Sequence, residues 1–330
     1  MGVVMLSESG TSAFFERIEA ALQRAGIVPR HIRHTTGDTI PASALADADV
    51  LLAYGHFRCT ETVMRAAPRL RAVVSPWVGT DGFDVDAATR LGIAVVNGQP
   101  DEHTQGMAEA TVMMILAASY GLPQARHTME SGGARPAEPV AELLAGKTLG
   151  IIGLGQIGRR VAALLAHWDI SLKAHDPFAR EVPDGIELLP LDELLQASDI
   201  VTLHMVLTEQ TRHLIDAARL RLMKPDAILI NTARGGLIDE IALFDAMSSG
   251  HLRGAALDVF EIEPLPMDSA LRKLPNILLT PHMIGQTKQS RAALVDLAVA
   301  NVSALMSGTL PKNLRNRTVS ETWHTRWASS

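Results

Sequence analysis

Three observations predict an α/β chain built from two doubly wound parallel-sheet domains, Rossmann-like or flavodoxin-like. Short apolar runs alternate with helical patterns along most of the 330 residues. The alternation comes as two separate series, and a glycine-rich turn heads the second. Strand-helix alternation means a parallel sheet covered on both faces. Because the glycine turn opens the second series, the first belongs to a different domain, and the length suffices for two cores. An active-site cleft is expected between them.

In the first series, Val3–Leu6, Val50–Ala53, Ala72–Val74 and Ala94–Val96 read as strands. Ala13–Arg24, Thr60–Ala67 and Val85–Leu91 carry helical periodicity between them. One long helix is then predicted over Glu102–Met129, apolar on most faces around Met107, Val112, Met113, Ile115 and Leu116. A helix apolar nearly all round is deeply buried or an interface. One domain would not cover it, so a two-fold homodimer is expected. Gly132-Gly133, Pro136 and Pro139 mark an irregular crossing. The second series starts at Leu149 and continues with Ser171–His175, Ile200–His204, Ala227–Asn231, Ala255–Val259 and Ile277–Leu279. A closing helix over Lys288–Met306 is expected to return to the first domain. The domains are therefore drawn as 1–100 plus 288–330, substrate-binding and discontinuous, and 101–287, nucleotide-binding and including the linking and dimerisation helix 102–129. The tail from Gly308 shows no clear periodicity, although it holds Trp323 and Trp327.

The glycine turn is the most specific signal. Leu149, Ile151 and Ile152 form a buried strand that leads into Gly153-x-Gly155-x-x-Gly158, and Val161, Ala162, Leu164 and Leu165 stripe the helix behind it. Gly153 permits the tight turn, Gly155 lets a pyrophosphate approach the backbone, and Gly158 lets helix and strand pack closely. The helix N-terminus offers unpaired N–H groups to the phosphates. A second strand ends at Asp176, 18 residues beyond Gly158, where a carboxylate can accept both ribose hydroxyls. No arginine follows it immediately, although Arg180 lies close by, so NAD is expected over NADP.

Composition removes other classes. Apolar residues make up 47% and charged residues 20%, ordinary for a soluble α/β protein. A net charge of −6 with scattered basic residues argues against nucleic acid. No uninterrupted apolar run is long enough to span a membrane. Cys59 is the sole cysteine, which leaves no disulfide framework and no thiolate metal site and suits a reducing cytoplasm. The strand-like Gly2–Leu6 start carries no basic region with a long apolar core, so no export signal is expected.

Three further segments put an ionisable group where a strand should end. They are Ile228–Gly236 with Arg234, Gly254–Pro264 with Glu263, and Ile277–His282 with His282. Singly, each is an ordinary loop or surface residue. On successive strand ends of a nucleotide domain they point at one crevice, where open α/β sheets bind ligands. A guanidinium holds a carboxylate bidentately and polarises an adjacent carbonyl. A histidine titrates near neutral pH and exchanges a proton with a hydroxyl, and a neighbouring glutamate orients it.

With these residues in place, the sequence resembles the D-isomer-specific 2-hydroxyacid dehydrogenase family. The resemblance rests on Gly153–Gly158, Thr232–Glu240, Ala256–Pro264 and Thr280–His282, together with Val78–Asp84, Asn97 and Ala108–Glu109. It runs from about Val50 to Leu310. It implies NAD-dependent interconversion of a D-2-hydroxy acid and its 2-oxo acid, with hydride moving to or from nicotinamide C4. Arg234 would anchor the substrate, His282 would be the acid/base and Glu263 its partner. Asp258 and the Thr232–Ala233 backbone would hold the nicotinamide and its ribose. Gln156, Ile157, His204, Met205 and Gly285 would complete the cofactor set. Tyr54, Trp77, Val78 and Gly79 would meet the substrate, the last two through backbone N–H groups; no metal is expected.

Some positions depart from the family pattern. Val206 replaces a usual proline, and Ile284 stands where Ala or Gly is usual. Tyr54 aligns where phosphoglycerate enzymes carry arginine, which counts against a phosphorylated substrate. Trp77 and Phe57 point to an apolar substrate side chain, unless Trp77 merely packs a hinge. Two rival readings are an NAD(H)-sensing co-repressor-like protein and a phosphite or formate dehydrogenase.

Overall fold

The computed structural model describes residues 2–8, 10–34 and 42–327. They divide into two compact units, Met1–His103 with Thr287–Ser330, and Thr104–Gln286. In the first, β1 (Val3–Glu8), α1 (Ser12–Arg24), β2 (Arg30–His34), β3 (Val50–Ala53), α2 (Glu61–Arg65), β4 (Ala72–Val74), α3 (Val85–Arg90) and β5 (Ala94–Val96) follow in sequence. All the strand pairs are parallel, in the order β2-β1-β3-β4-β5. Helix α1 buries Phe14, Phe15, Ile18 and Leu22, one face at helical spacing. Thr60 and Asp84 start α2 and α3 by accepting from the N–H groups of Val63 and Ala87. Strand β2 has the sequence Arg-His-Ile-Arg-His and lies at the sheet edge, so apolar patterning does not reveal it.

The second unit takes in nearly all of α4 (Asp101–Ser119), followed by α5 (Leu122–Glu130). This corrects the single helix expected over 102–129. Gly121 stands in the left-handed region (φ 65°) and Pro123 sits in the first turn of α5, so the chain stops and restarts. Beyond the irregular crossing come β6 (Lys147–Ile152), α6 (Gln156–Leu165), β7 (Ile170–His175), β8 (Ile186–Leu188), α7 (Leu191–Ala197) and β9 (Ile200–Leu203). Then follow α8 (Ala217–Leu222), β10 (Ile228–Asn231), α9 (Glu240–Ser248), β11 (Gly254–Leu257) and β12 (Ile277–Leu279). The seven strands are parallel in the order β12-β11-β10-β9-β6-β7-β8. Strand order reverses between β6 and β9, the switch point at which such sheets bind ligands. The short, mostly exposed β8 has no apolar signature in the sequence.

Two helices, α10 (Lys288–Met306) and α11 (Ser320–Trp327), complete the first unit. Thr287 and Ser290 form a capping box at the start of α10. The helix then buries Leu294, Val295, Ala298, Val302 and Leu305 in that unit's core. The tail that shows no periodicity nonetheless folds into defined structure that includes α11. Asn316 accepts from Val95 N and donates to Ile93 O, covering the edge of β5. Trp323, 2% exposed, donates to Arg71 O. Among the described residues no helix is long and apolar enough to cross a membrane.

Candidate active site

Six of the parallel strands of the second unit, β6, β7, β9, β10, β11 and β12, bring candidate residues to the carboxyl edge of the sheet. After β6, Gly153 turns the chain at φ 96°, and a Cβ there would lie 2.8 Å from the backbone of His204 after β9. Only glycine fits between these loops. Gly158 packs α6 on the turn so closely that a Cβ would stand 2.2 Å from Gly153 O. Gly155 faces open space, which leaves its backbone approachable. Gln156 and Ile157 follow in the first turn of α6, whose N-terminal N–H groups suit a pyrophosphate.

Asp176 lies beside this turn. One carboxylate oxygen accepts from Leu154 N and the other from Phe178 N, each at 2.8 Å. Arg159 ties the glycine loop to the segment after Asp176, donating to Leu154 O and Glu181 O. Arg180 is exposed. These residues fit a dinucleotide, with an open phosphate cradle and a fixed carboxylate at the next strand end. Burial pushes the His204 imidazole down to about 4, so the ring is neutral at pH 7; it bonds Thr202 Oγ1 at 3.0 Å. Met205 follows, half-buried, and Val206 is exposed.

Beyond β10, the Asn231 side chain accepts from Ala233 N and donates to Arg234 O, fixing the turn that carries the guanidinium. Thr232 is buried, with its hydroxyl 3.1 Å from that of Thr111 on α4. Beyond β12, His282 stands at φ 50°, a left-handed conformation uncommon for a residue with a side chain. Asp258, after β11, holds this loop. Its Oδ1 accepts from Thr280 Oγ1, Met283 N and Ile284 N, and its carbonyl accepts from His282 N. Burial raises the Asp258 carboxyl above its ordinary value, against the pull of those donors and of His282. Gly285 closes the loop against α4, since a Cβ there would meet Met107 Sδ.

His282 Nδ1 donates to Glu263 Oε2 at 2.7 Å, the direction a carboxylate requires, which leaves Nε2 for proton exchange. Burial pushes the Glu263 carboxyl up. The His282 hydrogen bond and charge, Phe260 N and the Arg234 charge outweigh this and hold it below the usual range. Arg234 and His282 therefore both act electrostatically on Glu263. Sequence reasoning missed a brace behind them: Glu240 accepts from Glu261 N, and Glu261 accepts from Glu240 N. It also missed Asn231, a polar residue ending an apolar strand, which was the available signal.

The remaining proposed substrate residues lie at the carboxyl edge of the first unit. Ser75 Oγ donates to Gly79 O and accepts from Trp77 N, while Asn97 Nδ2 donates to Val78 O. With its carbonyls engaged, the loop keeps the N–H groups of Val78 and Gly79 without partners among the described residues. Tyr54 is buried beside His34, bonded through its hydroxyl at 3.1 Å. The Trp77 ring stacks on Phe14 at 5.0 Å and meets Phe15 at 5.6 Å, and Phe57 is buried. Trp77 thus packs on α1.

Residues 112–284, just over half of the chain, match the NAD binding domain of the D-isomer specific 2-hydroxyacid dehydrogenases. The chain belongs to this family. A D-3-phosphoglycerate dehydrogenase from Methanocaldococcus jannaschii is 39% identical over 82% of this chain and 52% of its own length. The chain therefore spans about half the length of that relative. A glyoxylate reductase from Aeropyrum pernix is 40% identical over 84% of this chain and 85% of its own. Among solved structures, an NADPH-dependent glyoxylate/hydroxypyruvate reductase from Sinorhizobium meliloti, in complex with NADP and malonate, is 30% identical. It covers 96% of this chain and 97% of its own, with a TM-score of 0.83. The matched domain is an NAD binding domain, so NAD is the cofactor of this 2-hydroxyacid dehydrogenase family member.

Proposed function

We propose that this chain interconverts a D-2-hydroxy acid and its 2-oxo acid with NAD(H), working mainly as a 2-oxoacid reductase. The observation that carries the reading is the His282–Glu263 pair at 2.7 Å, next to the strand end that presents Arg234. Bound cofactor supplies or accepts the hydride at nicotinamide C4. Arg234 anchors the substrate carboxylate and polarises the adjacent carbonyl. His282 Nε2 gives a proton to the forming hydroxyl in reduction and takes it back in oxidation, while Glu263 holds the ring through its Nδ1 hydrogen bond. Asp176 favours NAD over NADP.

NADH consumption against glyoxylate, hydroxypyruvate, phenylpyruvate and 2-oxoisocaproate tests this directly. His282→Ala is expected to lose about 10²–10⁴ in kcat, the usual worth of a general acid, with NADH affinity close to wild type. Full activity of that variant on every good substrate would overturn the mechanism.

We also infer a two-fold homodimer. Met113, Tyr120, Leu122, Met129 and Leu143, on or near α4 and α5, are exposed apolar groups of the kind a second subunit covers. The buried Cys59, its thiol pushed up to about 12 chiefly by burial, suits a reducing cytoplasm and no nucleophilic role.

A further inference from the structure

Glu263, the partner of His282, rides on an exposed span. Glu261, Ile262, Glu263 and Pro264 are all exposed, between the buried Phe260 and Leu265. Apolar packing therefore does little to hold Glu263, and segments with few buried contacts open easily. The span is moored instead to the helix that follows the neighbouring strand. Helix α9 begins at Glu240, and Asp239 caps it by accepting from the N–H groups of Ile241 and Ala242. Glu240 N, which has no partner inside the helix, donates to Glu261 Oε1 at 3.2 Å and so brings a carboxylate to the positive end of α9. In return, Glu240 Oε1 accepts from Glu261 N at 2.7 Å. The helix is a firm mooring, with Ala242, Leu243 and Met247 buried.

Gly235, next to Arg234, closes the clamp from the other side. A Cβ there would lie 1.9 Å from Phe260 C and 2.5 Å from Glu261 N, so the Arg234 turn lies flush on the peptide whose N–H donates to Glu240. The same stretch reaches the acid/base pair directly: Phe260 N donates to Glu263 Oε1 at 3.0 Å, and Glu263 Oε2 accepts from His282 Nδ1. Charge opposes this gathering of carboxylates. Burial first, and then the charges of Glu261 and Glu263, raise the Glu240 carboxyl above its ordinary value, while the Glu261 N–H pulls the other way. His213 Nε2 also lies 3.2 Å from Glu261 Oε1. What Glu240 supplies to the span is therefore an accepting oxygen at a fixed place rather than its charge. We propose that Glu240 is a positioning residue, whose carboxylate holds the Phe260–Glu261 peptide against Gly235 and thereby places Glu263 for its hydrogen bond with His282. This rests on the 2-hydroxyacid dehydrogenase reading above.

The test measures kcat and KM in Glu240→Ala and Glu240→Gln, each alone and with Glu263→Ala, on whichever 2-oxo acid of the panel above turns over fastest. Glu240→Ala is expected to lose about ten- to a hundredfold in kcat, the usual result of misplacing an acid/base group. Its KM should stay close to wild type, because Asn231 fixes the Arg234 turn independently. Glu240→Gln keeps the accepting oxygen and should recover most of that loss. With Glu263→Ala already present there is no carboxylate left to place, so Glu240→Ala should cost less than about twofold more. NADH affinity, read by fluorescence, reports whether each variant is folded. A Glu240→Ala kcat near wild type, a Glu240→Gln variant as impaired as Glu240→Ala, or the same loss with and without Glu263 would overturn this inference alone. Absence of wild-type turnover on every 2-oxo acid would overturn the dehydrogenase reading and this inference with it.

Discussion

Replacing His204 with glutamine should make the nucleotide-binding unit less sensitive to acid. His204 follows β9, its N–H donates to Ile152 O, and its ring bonds Thr202. Burial lowers its pKa from 6.5 to about 4, so folding depresses the pKa of a base. Between these values the unfolded chain binds more protons than the folded one, and stability rises with pH. The contribution is complete above pH 6.5 and is lost as pH falls toward 4. The whole gap corresponds to about 3 kcal/mol, at about 1.4 kcal/mol per tenfold change in proton affinity. About 2 kcal/mol of that develops between pH 7 and pH 5. For a domain of this size, 1 kcal/mol moves Tm by about 2–4 °C, so the acid-induced drop should be about 4–8 °C larger in wild type than in His204→Gln. Calorimetry on both proteins at the two pH values measures it. Carboxylates common to both cancel in the difference, as does any constant destabilisation by the substitution. Equal drops would mean that the ring titrates normally and that the His204 packing has been misread.

Glu263→Gln keeps a hydrogen-bond partner for His282 but removes the charge. Hydrogen bonds to charged groups are worth about 1.5–3 kcal/mol, and this half-exposed pair belongs at the low end, so kcat should fall roughly tenfold; an unchanged kcat would detach Glu263 from the chemistry. Asp176→Ala should narrow a preference for NADH over NADPH measured by kcat/KM, and equal use of both by wild type would remove the carboxylate from that choice. Light scattering at micromolar concentration should give a dimer mass. A monomer would mean that the exposed groups around α4 and α5 stay in water.

The sequence was most legible where burial is two-sided. Val50–Ala53 and Ala72–Val74 match their strands residue for residue, because interior parallel strands are continuous apolar runs. Ala94–Val96 and Ile277–Leu279 match too, since these edge strands are apolar throughout, whereas the other two edge strands, Arg30–His34 and Ile186–Leu188, are largely polar or exposed and left no such trace. The break at Gly121 was hidden because apolar residues continue on both sides of it, and periodicity reports a face rather than a terminus. The tail was hidden for another reason. Asn316 and Trp323 anchor it by hydrogen bonds to Val95, Ile93 and Arg71, far away in sequence, and no local pattern encodes that.

The chemical groups themselves were readable, whereas the parts that hold them were not. A left-handed backbone for a residue other than glycine costs on the order of 1–2 kcal/mol, and His282 adopts it at the end of a short strand. Asp258 offsets that cost, because one buried carboxylate oxygen gathers Thr280, Met283 and Ile284 around the bend. The resemblance assigns Asp258 to the nicotinamide; the geometry gives it a prior task, holding the loop so that Nδ1 of His282 reaches Glu263. The same division of labour recurs at Asn231, whose amide spans the turn behind Arg234. Arg234 and His282 therefore each have a buried polar residue behind them, Asn231 at the end of the same strand and Asp258 at the end of the neighbouring one. Removing such a residue would displace the charged group without altering its chemistry, so its effect should appear as lost geometry rather than lost acidity or charge.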